Sequence, residues 1–258
     1  MMSIYQHFRP EEKEFIDQAS GLVEQVKGTY APKLMGFLDP REQFILSSIV
    51  GKDSEVILAF FGGSDGVERK RALLYPDYYS PEEADYQIAL YKIRYPKKFL
   101  TLEHRQILGT LMSLGIQREK FGDILINDES IQFVAAKEID SYLAVNLEKI
   151  GNSSVTIEPI PLTSILVPKE QWQEDTHTVS SLRLDAVLST GLNQSRQKVQ
   201  TLIKAGKVKV NFRVTENVSA ECRESDILSV RGFGRVNIIS IDGKTKKDKY
   251  RLTLGMKK

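Results

Sequence analysis

Residues 181–211 combine two helical patterns of hydrophobic positions with one strand pattern. Leu184, Val187 and Leu188 recur at helical spacing and predict a first helix. Gly191 follows at the position where many helices end in a left-handed residue, so it is expected to end this helix in that conformation.

A second helix is predicted directly after Gly191. Either Asn193 or Ser195 can accept hydrogen bonds from the amides of its first turn, and Ala205-Gly206 is expected to end it. A half-buried strand is predicted next, because hydrophobic and basic residues alternate there. The buried positions are Val199, Leu202 and Ile203 in the helix, and Val208 and Val210 in the strand.

Residues 79–161 carry strand and helix patterns in the order β-α-β-β-α-β. This order predicts a ferredoxin-like domain, the plan that the RNA-recognition motif also uses. Phe133 is the one aromatic residue of a predicted central strand and is expected in the core, so base stacking on this sheet is not expected. The predicted strands are 86–94, 123–127, 130–136 and 155–159, and the predicted helices are 101–114 and 137–150.

Residues 1–78 predict a small α/β subdomain with two helices and a pair of strands, 55–61 and 69–75. The overall fold class is therefore α+β. The predicted domains are 1–78, the ferredoxin-like domain 79–161, a connector 162–180 and a small α+β RNA-binding domain 181–258. The basic run in the cluster Glu68-Arg69-Lys70-Arg71 has two interpretations, a solvated strand edge or a second, weaker contact for an anionic partner.

Charge is distributed unevenly along the chain. The net charge of +2 conceals 17 Lys and Arg against seven Asp and Glu from residue 181 onward, which is +10. Residues 1–180 carry 19 basic and 27 acidic residues, which is −8. A domain of this charge predicts a polyanionic partner. In the second helix, Arg196, Gln200 and Lys204 recur every four residues and form one row.

Several classes of function are not expected. The single cysteine, Cys222, permits no internal disulfide and favours a cytoplasmic protein. No apolar run approaches the roughly 20 residues that span a bilayer, so membrane insertion is not expected. The three histidines lie far apart in sequence, so neither a metal nor another cofactor is predicted.

The segment Gly232-Phe233-Gly234 lies between Arg231 and Arg235. An aromatic ring between glycines and arginines suits stacking and phosphate contacts with looped RNA. A tight turn with the ring folded inward explains the same residues.

Three segments, RLDAVL (183–188), SRQKVQTLIKAGKVKVN (195–211) and DILSVRG (226–232), resemble the RNA-binding domain named after small-subunit ribosomal protein four. The resemblance implies that the helix pair carries the RNA-contacting face, with Asp185 orienting a neighbouring arginine. The family usually has glycine after the strand asparagine, where this chain has Phe212. The whole predicted RNA-binding set is Arg183, Asp185, Ser195, Arg196, Lys198, Gln200, Lys204, Lys207, Lys209, Arg231, Phe233 and Arg235.

The chain resembles the YlmH family of bacterial RNA-binding proteins nearly from end to end. The motifs that carry the resemblance are FLDPRE (37–42), FFGG…ERKR (60–71), EHRQILGTLMSLGIQREKFGDI (103–124) and VRGFGR (230–235). The resemblance implies a non-enzymatic, ribosome-associated protein that binds transfer RNA or large-subunit ribosomal RNA during rescue of stalled translation. Its oligomeric state is left open.

Two alternatives remain at this point. Arg183-Leu184-Asp185 echoes the loop of pseudouridine synthases, in which the aspartate is the nucleophile, so an RNA-modifying enzyme is the first. No large catalytic sheet is predicted around this segment. The second is a scaffold whose basic segment binds an acidic protein.

Overall fold

The computed structural model describes residues 8, 10–51, 55–97, 100–167 and 172–257. The chain divides into two compact units, Met1–Pro168 and Lys169–Lys258.

The first unit begins with a three-stranded antiparallel sheet covered by two helices. Its elements are α1 (Lys13–Thr29), β1 (Lys33–Leu38), α2 (Pro40–Val50), β2 (Val56–Phe61) and β3 (Lys70–Pro76), with strand order β1-β3-β2. Asp39 caps α2 by accepting from the amides of Arg41 and Glu42, and Glu42 accepts from the Asp39 amide at 2.6 Å. This reciprocal cap fixes the start of α2.

A four-stranded antiparallel sheet follows in the same unit. Its elements are β4 (Ile88–Arg94), α3 (His104–Ser113), β5 (Phe121–Ile126), β6 (Ile131–Ala136), α4 (Asp140–Asn146), the hairpin β7 (Lys149–Ile150) and β8 (Ser153–Ser154), and β9 (Thr156–Ile160). In the strand order β5-β6-β4-β9, each helical connection passes over one intervening strand. Helix α3 connects β4 to β5 across β6, and α4 connects β6 to β9 across β4, as in a split βαβ fold. The ferredoxin-like prediction is therefore confirmed.

Phe133 is fully buried and stacks on Tyr91, with ring centroids 5.0 Å apart. Its predicted place in the core is correct. The predicted helix 137–150 is too long, because Leu147 leaves the helical conformation and the chain then forms the hairpin. Gly151 adopts a φ of 59° in the turn of that hairpin.

The two sheets of the first unit share core residues. Phe37 of β1 is fully buried in a cluster with Leu90 and Val134 from the ferredoxin-like sheet. The approach is close, since a Cβ atom on Gly122 would lie 2.9 Å from Val134 and 3.0 Å from Phe37. A Cβ on Gly36 would likewise lie 2.8 Å from Glu119, so β1 requires glycine at this position. Because glycine is unfavourable inside strands, the same residue concealed β1 in the sequence.

The basic run at the start of β3 is structural, so neither interpretation suggested by the sequence fits Arg69 and Arg71. Arg71 is only 4% exposed, and its Nε donates to the Met35 carbonyl at 2.9 Å. Its Nη1 donates to the Gln87 carbonyl and to Glu138, both at 3.1 Å. Arg69 donates to the carbonyl oxygens of residues 37 and 121. Both guanidinium groups thus join the two sheets.

The second unit is a six-stranded antiparallel sheet with two helices on one face. Its elements are β10 (Gln173–Val179), α5 (Leu184–Gly191), α6 (Arg196–Lys204), β11 (Val208–Val210), β12 (Arg213–Val214), β13 (Ile227–Val230), β14 (Gly234–Lys244) and β15 (Tyr250–Lys257). The strand order is β10-β15-β14-β13-β11-β12. Val187 and Leu188 of α5 and Val199 and Ile203 of α6 pack against the sheet in one core.

Two details of this unit differ from the sequence expectations. Residues 173–179 of the predicted connector form β10, which pairs with β15 over seven residues. Gly191 is the last residue of α5 and is not left-handed; Asn193 is, with a φ of 51°. A Cβ on Gly191 would lie 3.2 Å from Val236 and 3.3 Å from Leu254, so packing against the sheet explains the glycine.

We predict that Arg71→Met destabilises the protein by about 2–3 kcal/mol, because it removes the buried donor to the carbonyl groups of Met35 and Gln87 and one of the two cations that contact Glu138, the other being Lys120. Urea unfolding followed by circular dichroism measures the loss. Arg94→Met is the matched control: its pair with Glu158 is about half exposed, and we expect a change under about 1 kcal/mol. Equal losses in the two variants would contradict the assignment.

Candidate nucleic-acid interface

The two helices of the second unit begin close to each other. Arg183 is the residue before α5, and the amides of Leu184 and Asp185 donate to the carbonyl groups of Ala220 and Val218. Ser195 caps α6, its hydroxyl accepting from the Lys198 amide at 3.3 Å. Of the two candidate caps in the sequence, Ser195 is therefore the one used.

Asp185 lies at the centre of this arrangement and is fully buried. Its carboxylate accepts from Nε and Nη2 of Arg183 at 3.2 and 3.4 Å, and from Nη2 of Arg196 at 3.0 Å to each oxygen. Nε2 of Gln200 donates to it at 2.7 Å. One carboxylate thus ties the start of α5 to two successive turns of α6.

Burial alone would raise the pKa of Asp185, because it disfavours the charged form. Hydrogen bonds from Arg183, Gln200 and Arg196 outweigh burial and lower the pKa from 3.8 to about 2. The carboxylate is consequently ionised at neutral pH. The two arginine side chains keep 43% and 47% of their surface exposed. The result is a pair of oriented guanidinium groups at the protein surface.

The predicted residues fall at three places in this unit. Arg183, Asp185, Arg196 and Gln200 form the cluster just described, which we call the Asp185 cluster, and Lys204 is exposed one turn beyond it along α6. Around the turn between β13 and β14 lie Lys198, Phe233 and the exposed Arg231, whose amide donates to the carbonyl of the exposed Lys207. Lys209 and Arg235 lie on the sheet face opposite the helices, because their strand neighbours Val208, Val210 and Val236 point into the core.

Phe233 is half-buried and packs against the core of this unit. Nζ of Lys198 lies 5.2 Å from its ring centroid. The inward interpretation of this turn therefore fits better than an exposed stacking platform.

The turn between β11 and β12 is tight although it lacks the glycine that is usual in the family. Asn211 and Phe212 both adopt positive φ values, 48° and 67°. Such a conformation costs a non-glycine residue on the order of 1 kcal/mol. The side chain of Asn211 compensates in part, since it accepts from the Ile227 amide at 2.9 Å and donates to Asp226 at 2.8 Å.

Three residues outside the predicted set extend the surface around Arg235. Lys257 is paired with Arg235 across strands β14 and β15, the ring of Phe212 lies near Arg235, and the ring of Trp172 lies near Lys257. Strand alternation in residues 250–257 could have identified Lys257, whereas the position of Trp172 depends on a pairing that the polar sequence of β10 conceals.

Within the described residues, no group of three or more His, Cys, Asp or Glu side chains is placed to hold a metal ion. None of the helices in that part of the chain has the length and apolar character needed to cross a membrane.

We predict that Asp185→Asn lowers the free energy of unfolding at pH 7 by about 2 kcal/mol, the equivalent of the pKa difference. Because the folded-state pKa is lowered, the contribution is fully present above about pH 4 and is lost as the pH falls towards 2. Urea unfolding between pH 7 and pH 2 should show the variant losing less stability on acidification than the parent. Asp248→Asn, an 83% exposed site, is the control. Parallel curves for Asp185→Asn and the parent would contradict the prediction.

Comparison with known proteins identifies two families of domain within the chain. Residues 81–164 match the family model described as a putative RNA-binding domain in YlmH, and residues 182–228 match the S4 domain. The ribosome-associated protein quality control protein P2 of Bacillus subtilis is 46% identical over 258 residues, covering 100% of both chains.

A solved structure, the cell division protein ylmH from Streptococcus pneumoniae, is 36% identical, with a TM-score of 0.54. The match covers 64% of this chain and 99% of that one. Taken with the full-length relative and the two domain matches, this likeness shows that the chain belongs to the YlmH family of RNA-binding proteins.

Proposed function

We propose that this protein binds structured RNA of the ribosome, ribosomal RNA or transfer RNA, without catalysing a reaction. We further propose that it acts in the cytoplasm on the large ribosomal subunit, in rescue or quality control of stalled translation. The Asp185 cluster is the observation that best supports the proposed RNA contact. The name of the Bacillus subtilis relative supports the ribosomal role.

The Asp185 cluster suits a phosphate ligand for a physical reason. An arginine carries five N–H donors in a planar fork that matches phosphate oxygens. Arg183 directs Nε and Nη2 at Asp185, and Arg196 directs only Nη2 there. The remaining donors are held in place before a ligand arrives, which reduces the entropy lost on binding.

Further cations extend this surface. Lys204 follows Gln200 by one helical turn, and both Lys204 and Lys207 are exposed. The +10 charge from residue 181 onward adds attraction for a polyanion at longer range. A helix pair with rigid arginines and surrounding lysines therefore favours a folded RNA, whose phosphates stand at fixed positions.

The geometry disfavours the pseudouridine-synthase alternative. A nucleophilic aspartate must reach the base that it attacks. Asp185 is fully buried, and three side chains hold its carboxylate. The family model that matches residues 81–164 is described as a putative RNA-binding domain, and the one that matches residues 182–228 is the S4 domain. Both matches also support a binding role.

The proposal predicts strongly salt-dependent binding. With about six phosphate contacts, the affinity for a ribosomal RNA fragment should fall about a thousandfold between about 50 and 200 mM salt. Arg196→Ala combined with Lys204→Ala should weaken binding and reduce the salt slope by about two. Fluorescence anisotropy with labelled RNA measures both quantities, and circular dichroism verifies that the variant is folded.

Lys246→Ala combined with Lys247→Ala removes the same charge from the turn between β14 and β15 and serves as the control. Arg196→Lys separates charge from geometry, since it keeps the charge but cannot form the fork. The intact protein should co-sediment with ribosomal subunits and be released by ribonuclease. An affinity that does not depend on salt concentration would refute the proposal. A double variant that binds RNA with the affinity of the parent would also refute it.

A further inference from the structure

The six-stranded sheet of the second unit has a face that its helices do not cover. Residues that point into the core alternate along each strand with residues on the other side, for example Leu228 and Val230 with Ser229. Helices α5 and α6 pack against the core side. We call the opposite side the outer face.

One row of residues crosses the outer face from strand to strand. Lys257 pairs with Arg235, Arg235 with Ser229, Ser229 with Lys209, and Lys209 with Val214. Gln173 pairs with Met256, so Trp172 stands beside Lys257 at the end of the row. At about 4.8 Å between strands, the row is roughly 24 Å long. It contains three cations and no acidic residue.

Aromatic rings lie beside two of the three cations of this row. Nζ of Lys257 lies 6.0 Å from the Trp172 ring, and the guanidinium carbon of Arg235 lies 5.5 Å from the Phe212 ring. The indole is set close to the sheet, since a Cβ atom on Gly255 would lie 2.9 Å from Cβ of Trp172. Each ring is half-buried.

One residue beside the row is unfavourable for stability. Phe212 occupies a left-handed position, with φ of 67°, where glycine would be unstrained. Features that oppose folding tend to concentrate where a protein binds a ligand.

We propose that the outer face binds a single-stranded segment of RNA. Lys209, Arg235 and Lys257 contact its phosphates, and bases stack on Trp172 and Phe212. Cations interleaved with aromatic rings are the general means of holding a single strand, whose bases are exposed. The inference rests on the proposed function in taking RNA as the partner, but it assigns a second surface, on the far side of the sheet from the Asp185 cluster.

A single strand fits this row better than a duplex does. A duplex keeps its bases paired, whereas the two rings beside the row offer surfaces for stacking. An acidic protein segment would satisfy the cations but would gain little from two aromatic rings. Binding of such a segment in place of RNA is a distinguishable outcome of the experiment.

Trp172 is the only tryptophan of the chain and reports on this face directly. The probe is a 12-nucleotide oligouridylate, which has no stable fold of its own. Titrating it into the full-length protein should quench the Trp172 fluorescence as bases stack near the indole. No quenching at concentrations that saturate binding, measured by anisotropy of the labelled oligonucleotide, would overturn the proposal.

Charge variants locate the contact. Arg235→Gln with Lys257→Gln should weaken oligouridylate binding roughly 20-fold at about 0.1 M salt and lower the salt slope by about 1.4, the value for two phosphates of a single strand. Arg251→Gln with Lys247→Gln removes the same charge at the other end of β15 and should change the affinity less than threefold. Equal effects of the two pairs would mean general electrostatic attraction and would contradict a defined row.

Phe212→Gly separates binding from folding. It removes the ring and relieves the left-handed strain, so the urea midpoint should stay the same or rise. The affinity for oligouridylate should nevertheless fall about tenfold, the effect of losing one stacked base. Unchanged affinity would remove Phe212 from the proposed surface.

The helix-face variant distinguishes failure of this proposal from failure of the proposed function. Arg196→Ala with Lys204→Ala should impair binding of folded ribosomal RNA and leave oligouridylate quenching intact. If quenching persists while folded RNA binding is insensitive to that variant, the outer face stands and the helix surface fails. If the outer-face variants bind oligouridylate normally but lose an acidic peptide such as oligoglutamate, the outer face is a protein contact and the RNA proposal is wrong.

Discussion

The second unit depends on one buried carboxylate. Placing an ion in the interior is unfavourable unless hydrogen bonds and opposite charges compensate, and Asp185 receives both from Arg183, Arg196 and Gln200. The same contacts hold the two helices in register over the sheet and fix the guanidinium groups at the surface. The fold and the proposed RNA-binding surface therefore share a single electrostatic element, so a change to Asp185 affects both.

The first unit uses buried charge differently. Arg71 satisfies carbonyl groups from β1 and from the segment before β4 and pairs with Glu138 beyond β6. Phe37 fills the space between the two sheets, where glycines permit close approach. Here the guanidinium group faces inward and is almost wholly buried, whereas the arginines beside Asp185 remain half exposed. The contrast shows why a basic run in a sequence does not by itself identify a binding surface.

The sequence predicted those elements whose hydrophobic period and end signals agree. The ferredoxin-like order and the helix pair at 184–204 were correct for this reason. Prediction from the sequence failed where pairing between distant segments determines the structure. β10 is polar along its length and is a strand only because β15 pairs with it. Gly191 was misassigned because contacts with Val236 and Leu254, distant in sequence, require it. For the site, helical spacing grouped Arg196 with Gln200 correctly, but only the sheet register shows that Lys209 and Arg235 face away from them.

The strand order of the second unit has a consequence for its synthesis. The last strand, β15, lies between β10 and β14, so the first and last strands of this unit are neighbours. Leu252 and Leu254 of β15 belong to the core on which both helices pack. A nascent chain cannot complete this core until residues near 254 have emerged from the ribosome, because non-local pairings form only when both partners are available. A chain that ends before β15 therefore lacks the complete core that supports both the helix pair and the outer face of this unit.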